Sequence, residues 1–382
     1  MFMMAIRISK RELVFTPASI FHAWMPCSAL KIRYLAGETG ACMSSFNVTN
    51  RAVSIWLFIL AAFVCAIILV GGATRLTDSG LSITEWKPLM GAIPPLTEEG
   101  WLADLELYRQ TTEYQVQNRG MSLAEFQSIF WWEWGHRQLG RLIGLIMAIP
   151  LVVFWLRGDL SSQLKIRLVG LLVLIGVQGG IGWWMVASGL VDRLDVSQYR
   201  LATHLGMAFI ILGVTLWLAL EARNGPPPVR NGAMTKWAGA LWGLIFFQIV
   251  LGAFVAGLDA GRIYNTWPLM NGDIIPEGYL AGLPFFQAMF ESHAAVQMHH
   301  RWAGYLVVIS VAIFAYLINR QDRVELKPFM IILPALVVGQ VALGISALLA
   351  VVPLNLSLAH QAGAILLFIA AGLASWTARR AG

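Results

Sequence analysis

Charge is what this sequence has least of. Only 13% of its 382 residues are Asp, Glu, Lys or Arg, while 58% are hydrophobic. An ordinary soluble domain carries roughly 25% charged residues. The balance excludes a soluble globular domain and points to a chain that lives in a bilayer. Cysteine is nearly missing too. Cys27, Cys42 and Cys65 form no CxxC and no Cys/His pattern of the zinc-binding kind. Two precede the first apolar run and one lies inside it, so no disulfide between outer loops can be built. Histidine is scarce, at seven, which makes each position informative. The net charge of +6 does not argue for nucleic acid. Basic residues of a membrane protein gather in its cytoplasmic loops.

What is present is a series of apolar runs. A span needs about 20 mostly apolar residues. Runs of that kind predict eight transmembrane helices, at 53–73, 136–156, 166–188, 202–220, 237–258, 300–318, 328–350 and 357–377. Basic residues mark alternate connections: Arg157, Lys165 and Arg167; then Arg223, Arg230 and Lys236; then Arg320, Arg323 and Lys327. The N-terminal segment carries Arg7, Lys10, Arg11, Lys31, Arg33 and Arg51, and the tail carries Arg379 and Arg380. Both termini are therefore expected inside, with the long 74–130 and 259–290 loops outside. The expected division is a cytoplasmic segment 1–50, a four-helix half 51–222, a cytoplasmic linker 223–236 and a second four-helix half 237–382. The first 42 residues show no signal-peptide pattern, and Met43 would make an ordinary start. They read as a disordered extension, as sequence ahead of the true start codon, or as a mitochondrial-type transit peptide.

The chain repeats itself. "GGATRLTDSGLSITEWKPLMGAIP" from Gly71 matches "GAFVAGLDAGRIYNTWPLMNGDIIP" from Gly252. An offset of 181 sets Asp78 on Asp259, Gly80 on Gly261 and Trp86 on Trp267. "EWGHRQLGR" matches "QMHHRWAGY" at an offset of 164, which sets His136 on His300, Arg137 on Arg301 and Gly140 on Gly304. "THLGMA" and "AHQAGA" pair His204 with His360. A glutamine–glycine pair recurs as Gln178/Gly182, Gln248/Gly252 and Gln340/Gly344. Each half holds an even number of spans, so both insert the same way up, as a parallel repeat. The expected fold is all-α: eight transmembrane helices arranged as two pseudo-symmetric four-helix bundles.

His136, His204, His300 and His360 open the even-numbered spans and so share one depth near the outer face. Ionisable groups inside spans are rare and tend to mark function. Two histidines facing each other across a bundle suit an axially ligated haem, with His300 and His360 as one pair and His136 and His204 as the other. Zinc fits less well, because no third ligand repeats. Gly140 and Gly304 follow their histidines by four, on the same face. They either admit a flat macrocycle or let helices pack closely. Arg137 and Arg301, at the polar boundary, either pair haem propionates or snorkel to the interface. His293 and His299 lack counterparts in the other half and read as auxiliary, and His22 falls in the N-terminal segment.

Glu133 precedes His136 by three and shares its helix face. The matching position in the second half is Gln297. Two equal electron-transfer sites would not need that difference, whereas a reaction site beside a support site would. The plainer alternative is a helix-capping carboxylate, or one paired with Arg137.

These residues resemble the haem A synthase family. The likeness rests on "EWGHRQLGR", "GGATRLTDSGLSITEWKPLMGAIPP", "THLG", "NTWPLMNGDIIPEGY", "QMHHRWAGY" and "AHQAG", and covers nearly all of 50–380. The resemblance implies an oxidoreductase acting on a CH3 group. Haem O would be oxidised at one methyl to a formyl by successive hydroxylations, giving haem A for cytochrome oxidase. It further implies haem b as cofactor, held by His300 and His360 as axial ligands with Arg301 nearby. Substrate haem would bind at His136 and His204 with Arg137, and Glu133 would be the catalytic residue. Implied partners are haem O synthase, cytochrome oxidase assembly factors and an electron donor; homo-oligomerisation is left open, and no nucleic acid is expected. Some bacterial members carry a cysteine pair in the first outer loop. This chain has none, which places it with the alphaproteobacterial and mitochondrial type, in the bacterial inner membrane or alternatively the mitochondrial one. Two other classes compete. A di-haem cytochrome linked to quinone explains four histidines but not the Glu133/Gln297 difference. A transporter built from parallel repeats explains the duplication but predicts no porphyrin.

Overall fold

The computed structural model describes residues 50–87, 90–190, 193–228 and 232–380. The N-terminal segment up to residue 49, with His22, Cys27 and Cys42, lies outside the described residues, as do Pro88, Leu89 and Arg230. Among the described residues, eight helices are long and apolar enough to cross a membrane. They are α1 (Arg51–Leu76), α4 (Leu123–Leu156), α5 (Ser162–Val186), α6 (Gln198–Asn224), α7 (Ala233–Gly257), α9 (His293–Asn319), α10 (Phe329–Leu349) and α11 (Leu354–Arg380). Shorter helices α2 (Glu98–Arg109), α3 (Thr112–Val116) and α8 (Phe285–Glu291) lie in the connections. No strand occurs among the described residues; residues 270 and 273 form one isolated bridge. In lipid a backbone must satisfy its own hydrogen bonds, which leaves the helix as the spanning form for such runs. Starts are set by caps: the Asn50 side chain accepts from the Val53 N–H, Ser161 from Leu164 and Ser292 from Ala295. Ser122 and Glu125 close a reciprocal capping box at the head of α4.

In the first half α1 packs on α4 and α6, and α5 lies against α4 and α6. In the second, α7 packs on α9 and α11, and α10 lies against α9 and α11. The halves meet along two seams, α6 on α7 and α11 on α1. Lipid tails are as apolar as leucine, so association depends on close contact rather than on leaving water. One such contact centres on Trp242 of α7. A Cβ added at Gly213 of α6 or Gly372 of α11 would come within 3.1 Å of its ring. Where α1 begins and α11 ends, the Asn50 N–H donates to the Ala222 carbonyl at 2.7 Å, and Arg380 donates to the Gly225 carbonyl at 3.1 Å.

Helix starts differ from the sequence-based expectation. The second span was expected from 136, yet α4 begins at Leu123. Its first turns stand clear of the span and pack on α2 and α3 through Phe126 and Phe130, against Leu105, Tyr108 and Tyr114. The 74–130 loop thus carries a small apolar core of its own. Its helices are too short and too mixed in polarity to register in a search for spans. His136 sits well inside α4, not at its head, and α9 likewise begins at His293, seven residues before His300.

Candidate functional site

The four repeated histidines form two pairs. The His136 and His204 imidazoles have ring centres 6.4 Å apart with planes at 78°. The His300 and His360 rings are 6.5 Å apart, also at 78°. A metal bonded to one nitrogen of each ring, at about 2 Å per bond, would set the ring centres roughly 6 Å apart, so each pair fits an iron held axially between them. No group of three or more His, Cys, Asp or Glu suited to a metal occurs among the described residues.

Each ring approaches its neighbouring helix at a glycine. A Cβ at Gly71, Gly182, Gly252 or Gly344 would lie 3.0, 2.9, 3.0 or 2.7 Å from the ring of His136, His204, His300 or His360. Any larger residue there would push the ligand inward. Three rings are also held by the glutamine one turn earlier. Gln178 Nε2 lies 3.2 Å from His204 Nδ1 and donates to the His204 carbonyl at 3.0 Å. Gln248 Nε2 lies 3.1 Å from His300 Nδ1 and donates to the His300 carbonyl at 2.9 Å. Gln340 Nε2 donates to the His360 carbonyl at 2.9 Å, and its own backbone carbonyl lies 3.2 Å from His360 Nδ1. The repeated glutamine–glycine pair seen in the sequence therefore cradles three of these histidines. A Cβ at Gly140 or Gly304 would meet Ile67 Cδ1 at 3.7 Å or Gln248 Nε2 at 3.4 Å, ordinary contacts that do not require glycine for helix packing.

Glu133 is buried, at 2% exposure, and all its partners are donors. Oε2 accepts from the Ser82 hydroxyl at 2.8 Å and the Ile83 N–H at 2.7 Å. Oε1 accepts from Arg137 Nη2 at 2.6 Å and Nε at 3.1 Å. Arg137 also donates to the carbonyls of Ile83 and Glu85. Gln297 does the reverse: its Nε2 donates to the carbonyls of Ala260 and Ile263, at 2.9 and 2.6 Å, and its Oε1 accepts from Arg301. One loop presents donors inward and the other presents acceptors, so a carboxylate suits the first and an amide the second. The capping alternative is set aside, because Ser122 caps α4 eleven residues earlier; the pairing with Arg137 is present. Arg301 leaves its buried Nε without a partner. It borders a cleft of about 410 Å³ lined also by Trp267, Met270, Trp302 and Tyr305, an orphaned donor that an acidic porphyrin edge would satisfy. The auxiliary His299 meets the Tyr279 hydroxyl at 2.9 Å, and His293 is exposed at the head of α9.

Sequence reasoning missed an ion cluster that joins the two halves. Arg75 reaches Asp78 at 3.2 Å, Asp195 at 3.3 Å and Asp259 at 2.7 Å. Asp78 and Asp259 are repeat partners, while the position matching Arg75 is Ala256, whose carbonyl also accepts from Arg75. One arginine thus serves both halves. Burial holds the Asp195 carboxyl above its usual range, and Arg75 opposes that shift. The Asp78–Asp259 match was legible; Asp195 lies in a connection with no repeat to draw attention to it.

Comparison with known proteins fits this geometry. The COX15-CtaA family model, described as cytochrome oxidase assembly protein, matches residues 54–371. A protein of Maricaulis maris named Heme A synthase is 71% identical over 335 residues, covering 88% of this chain and 98% of its own. Proteins of the same name from Parvibaculum lavamentivorans and Caulobacter vibrioides are 48% and 46% identical, covering 87% and 88% of this chain and 95% and 100% of theirs.

Proposed function

The chain belongs to the COX15-CtaA family, and on that premise we propose how its two histidine pairs divide the work of making haem A. Haem A synthesis is its function, and the cytochrome reading is not favoured by so close a set of relatives. The reaction is the oxidation of one methyl of the substrate haem O to a formyl. Two hydroxylations give a geminal diol, which loses water. The substrate sits between His136 and His204. The second pair, His300 and His360, holds haem b, which when bound supplies a one-electron carrier. The observation that carries this division is the difference between Glu133 and Gln297 at otherwise matched sites.

The chain's own residues do the positioning. The glycine contacts fix how far each imidazole reaches into its bundle, and the glutamines tie down the histidine backbone at three of the four. Glu133 and Arg137 tie residues 82–85 to α4 beside His136, which holds the outer loop over the substrate pocket. A carboxylate there also stabilises positive charge developing at a reacting carbon, an effect that reaches 10²–10³-fold or so when preorganised. Arg301 takes an acidic edge of the cofactor, while Arg137 is already committed to Glu133 and the loop. The matched contacts within each half, and the exchange of the α6–α7 and α11–α1 seams, support a duplicated unit divided at the 223–236 linker. On this reading the protein works in the bacterial inner membrane with both termini cytoplasmic, meeting haem O synthase and oxidase assembly factors there.

The test is co-expression with a haem O synthase in cells lacking their own haem A, followed by extraction and mass analysis of the haems. Haem A is expected from the wild type and not from His136→Ala. Haem b should be lost from His300→Ala or His360→Ala more than from His136→Ala. Absence of haem A with folded protein and haem O both present would overturn the reading.

A further inference from the structure

The helix that the His136 ring leans on is gripped by the other half of the chain. That ring approaches α1 at Gly71. Three residues earlier, the Ile68 carbonyl accepts from Gln361 Nε2 of α11 at 2.8 Å. One residue later, Gly72 leaves room for the same side chain: a Cβ there would lie 1.8 Å from Gln361 Oε1. Four residues later, Arg75 reaches Asp259 at 2.7 Å and the Ala256 carbonyl at 3.2 Å. Gly71 thus sits between two polar ties to the second half. Gln361 directly follows His360, whose own ring approaches Gly344.

The repeat shows that this grip runs one way. Under the pseudo-symmetry the seam of α11 on α1 corresponds to that of α6 on α7. The offset of 156 that pairs His204 with His360 sets Leu205 on Gln361. The offset of 181 sets Ile249 on Ile68, Ala253 on Gly72 and Ala256 on Arg75. Leu205 packs on an apolar cluster that includes Ala253, and neither Leu205 nor Ala256 has a side-chain donor. The helix beside His300 therefore receives no matching bond from the first half. A leucine serves the matched seam, so packing alone does not call for an amide at 361, and a buried amide is unfavourable unless it is paired.

We propose that Gln361 is a positioning residue for the first site. Through Ile68 and Gly72 it fixes α1, and with α1 the place of Gly71 and of the His136 ring, relative to the helix that carries His360. The geometry of the first pair then depends on the second half, while that of the second pair does not depend on a matching bond from the first. A misplacement of about 1 Å at a reacting centre can lower a rate about 100-fold, so a tie that touches no reacting atom still bears on turnover. The proposal rests on the reading that each histidine pair holds a haem.

Two substitutions, one on each helix, remove the tie. Gln361→Met keeps an unbranched side chain of similar length and loses the donor. Gly72→Ala installs the residue found at 253, and its Cβ displaces the amide of Gln361, a flexible end that can swing aside. If one variant fails to fold, the other decides. Full-length holoprotein is purified from cells that also make haem O, oxidised, and its low-spin ferric signals are read by electron paramagnetic resonance. The first-pair signal is the one lost from His136→Ala. An effect confined to the neighbourhood of residue 361 would move the His300/His360 signal. The expected result is the reverse: both variants shift the first-pair signal, leave the second in place, retain haem b, and lower the ratio of haem A to haem O about tenfold or more. The double variant should match either single one, because both act through one contact. Movement of the His300/His360 signal alone, or no movement in folded variants, would overturn the proposal. A wild-type protein without two low-spin signals would remove the reading beneath it, and the proposal with it.

Discussion

Replacing Glu133 by glutamine copies the second half into the first and conserves volume. The structure nevertheless makes it a severe change. Glu133 accepts from Ser82, Ile83 and twice from Arg137, and an amide has one oxygen to serve them. If that oxygen faces Ile83, the NH2 opposes the Arg137 guanidinium. If it faces Arg137, the Ile83 N–H is left without an acceptor. A hydrogen bond to a charged group is worth about 1.5–3 kcal/mol, and breaking a buried ion pair costs about 3–5 kcal/mol. A loss of about 3–5 kcal/mol from the loop's hold on α4 is therefore expected, in place of the 1 kcal/mol or less of an exposed pair. Where amide exchange follows local opening, that loss speeds exchange at Ile83 by a hundredfold to a few thousandfold or so. The assay combines hydrogen–deuterium exchange of the 79–87 peptide with the ratio of haem A to haem O extracted per folded protein. Both should change: faster exchange at Ile83, and haem A nearly gone while haem b stays. Wild-type exchange together with a wild-type haem ratio would refute the reasoning. Fast exchange with a normal haem ratio would remove Glu133 from the chemistry and leave it a loop anchor.

Other outcomes follow from particular contacts. Gly344→Ala forces the His360 ring to move, since the added Cβ would lie 2.7 Å from it. A cost of about 1–3 kcal/mol and reduced haem b by pyridine haemochrome are expected, whereas Gly339→Ala on the same helix, with open space around it, should keep both. Glu113, buried in the outer core, has its carboxyl pushed up by burial to about 8. The unfolded carboxyl ionises first, so the stability of the α2–α3 cap should fall as pH rises from about 4.5 to 8, at up to about 1.4 kcal/mol per pH unit. Limited proteolysis of 98–122 between pH 5 and 9 should show this, and Glu113→Gln should flatten the profile. Single cysteines at 90–120 should react with an impermeant maleimide from outside, and those at 224–234 only from inside; the reverse would invert the topology.

The spans and the four histidines were legible because hydropathy and repetition are local or periodic signals. The polarity of the loops was not. That Ser82 and Ile83 offer donors while Ala260 and Ile263 offer acceptors depends on how two backbones turn some 35–50 residues away from Glu133 and Gln297. Nor was the start of α4, because its first turns are paid for by an aromatic core with α2 and α3 rather than by lipid.

The meeting of the first and last helix ends has a consequence for how this chain could be rewired. The head of α1 is tied to Ala222 and the end of α11 to Gly225, so both lie beside the connection between α6 and α7. Helix order around the protein is then a closed ring whose opening point is arbitrary. A circular permutant opened between 224 and 233, with residue 380 joined to residue 50 by a short polar linker, would keep every helix neighbour. Both histidine pairs, the Arg75 cluster and the 74–130 and 259–290 loops lie away from the cut, and a surface connection is where a chain best tolerates being reopened.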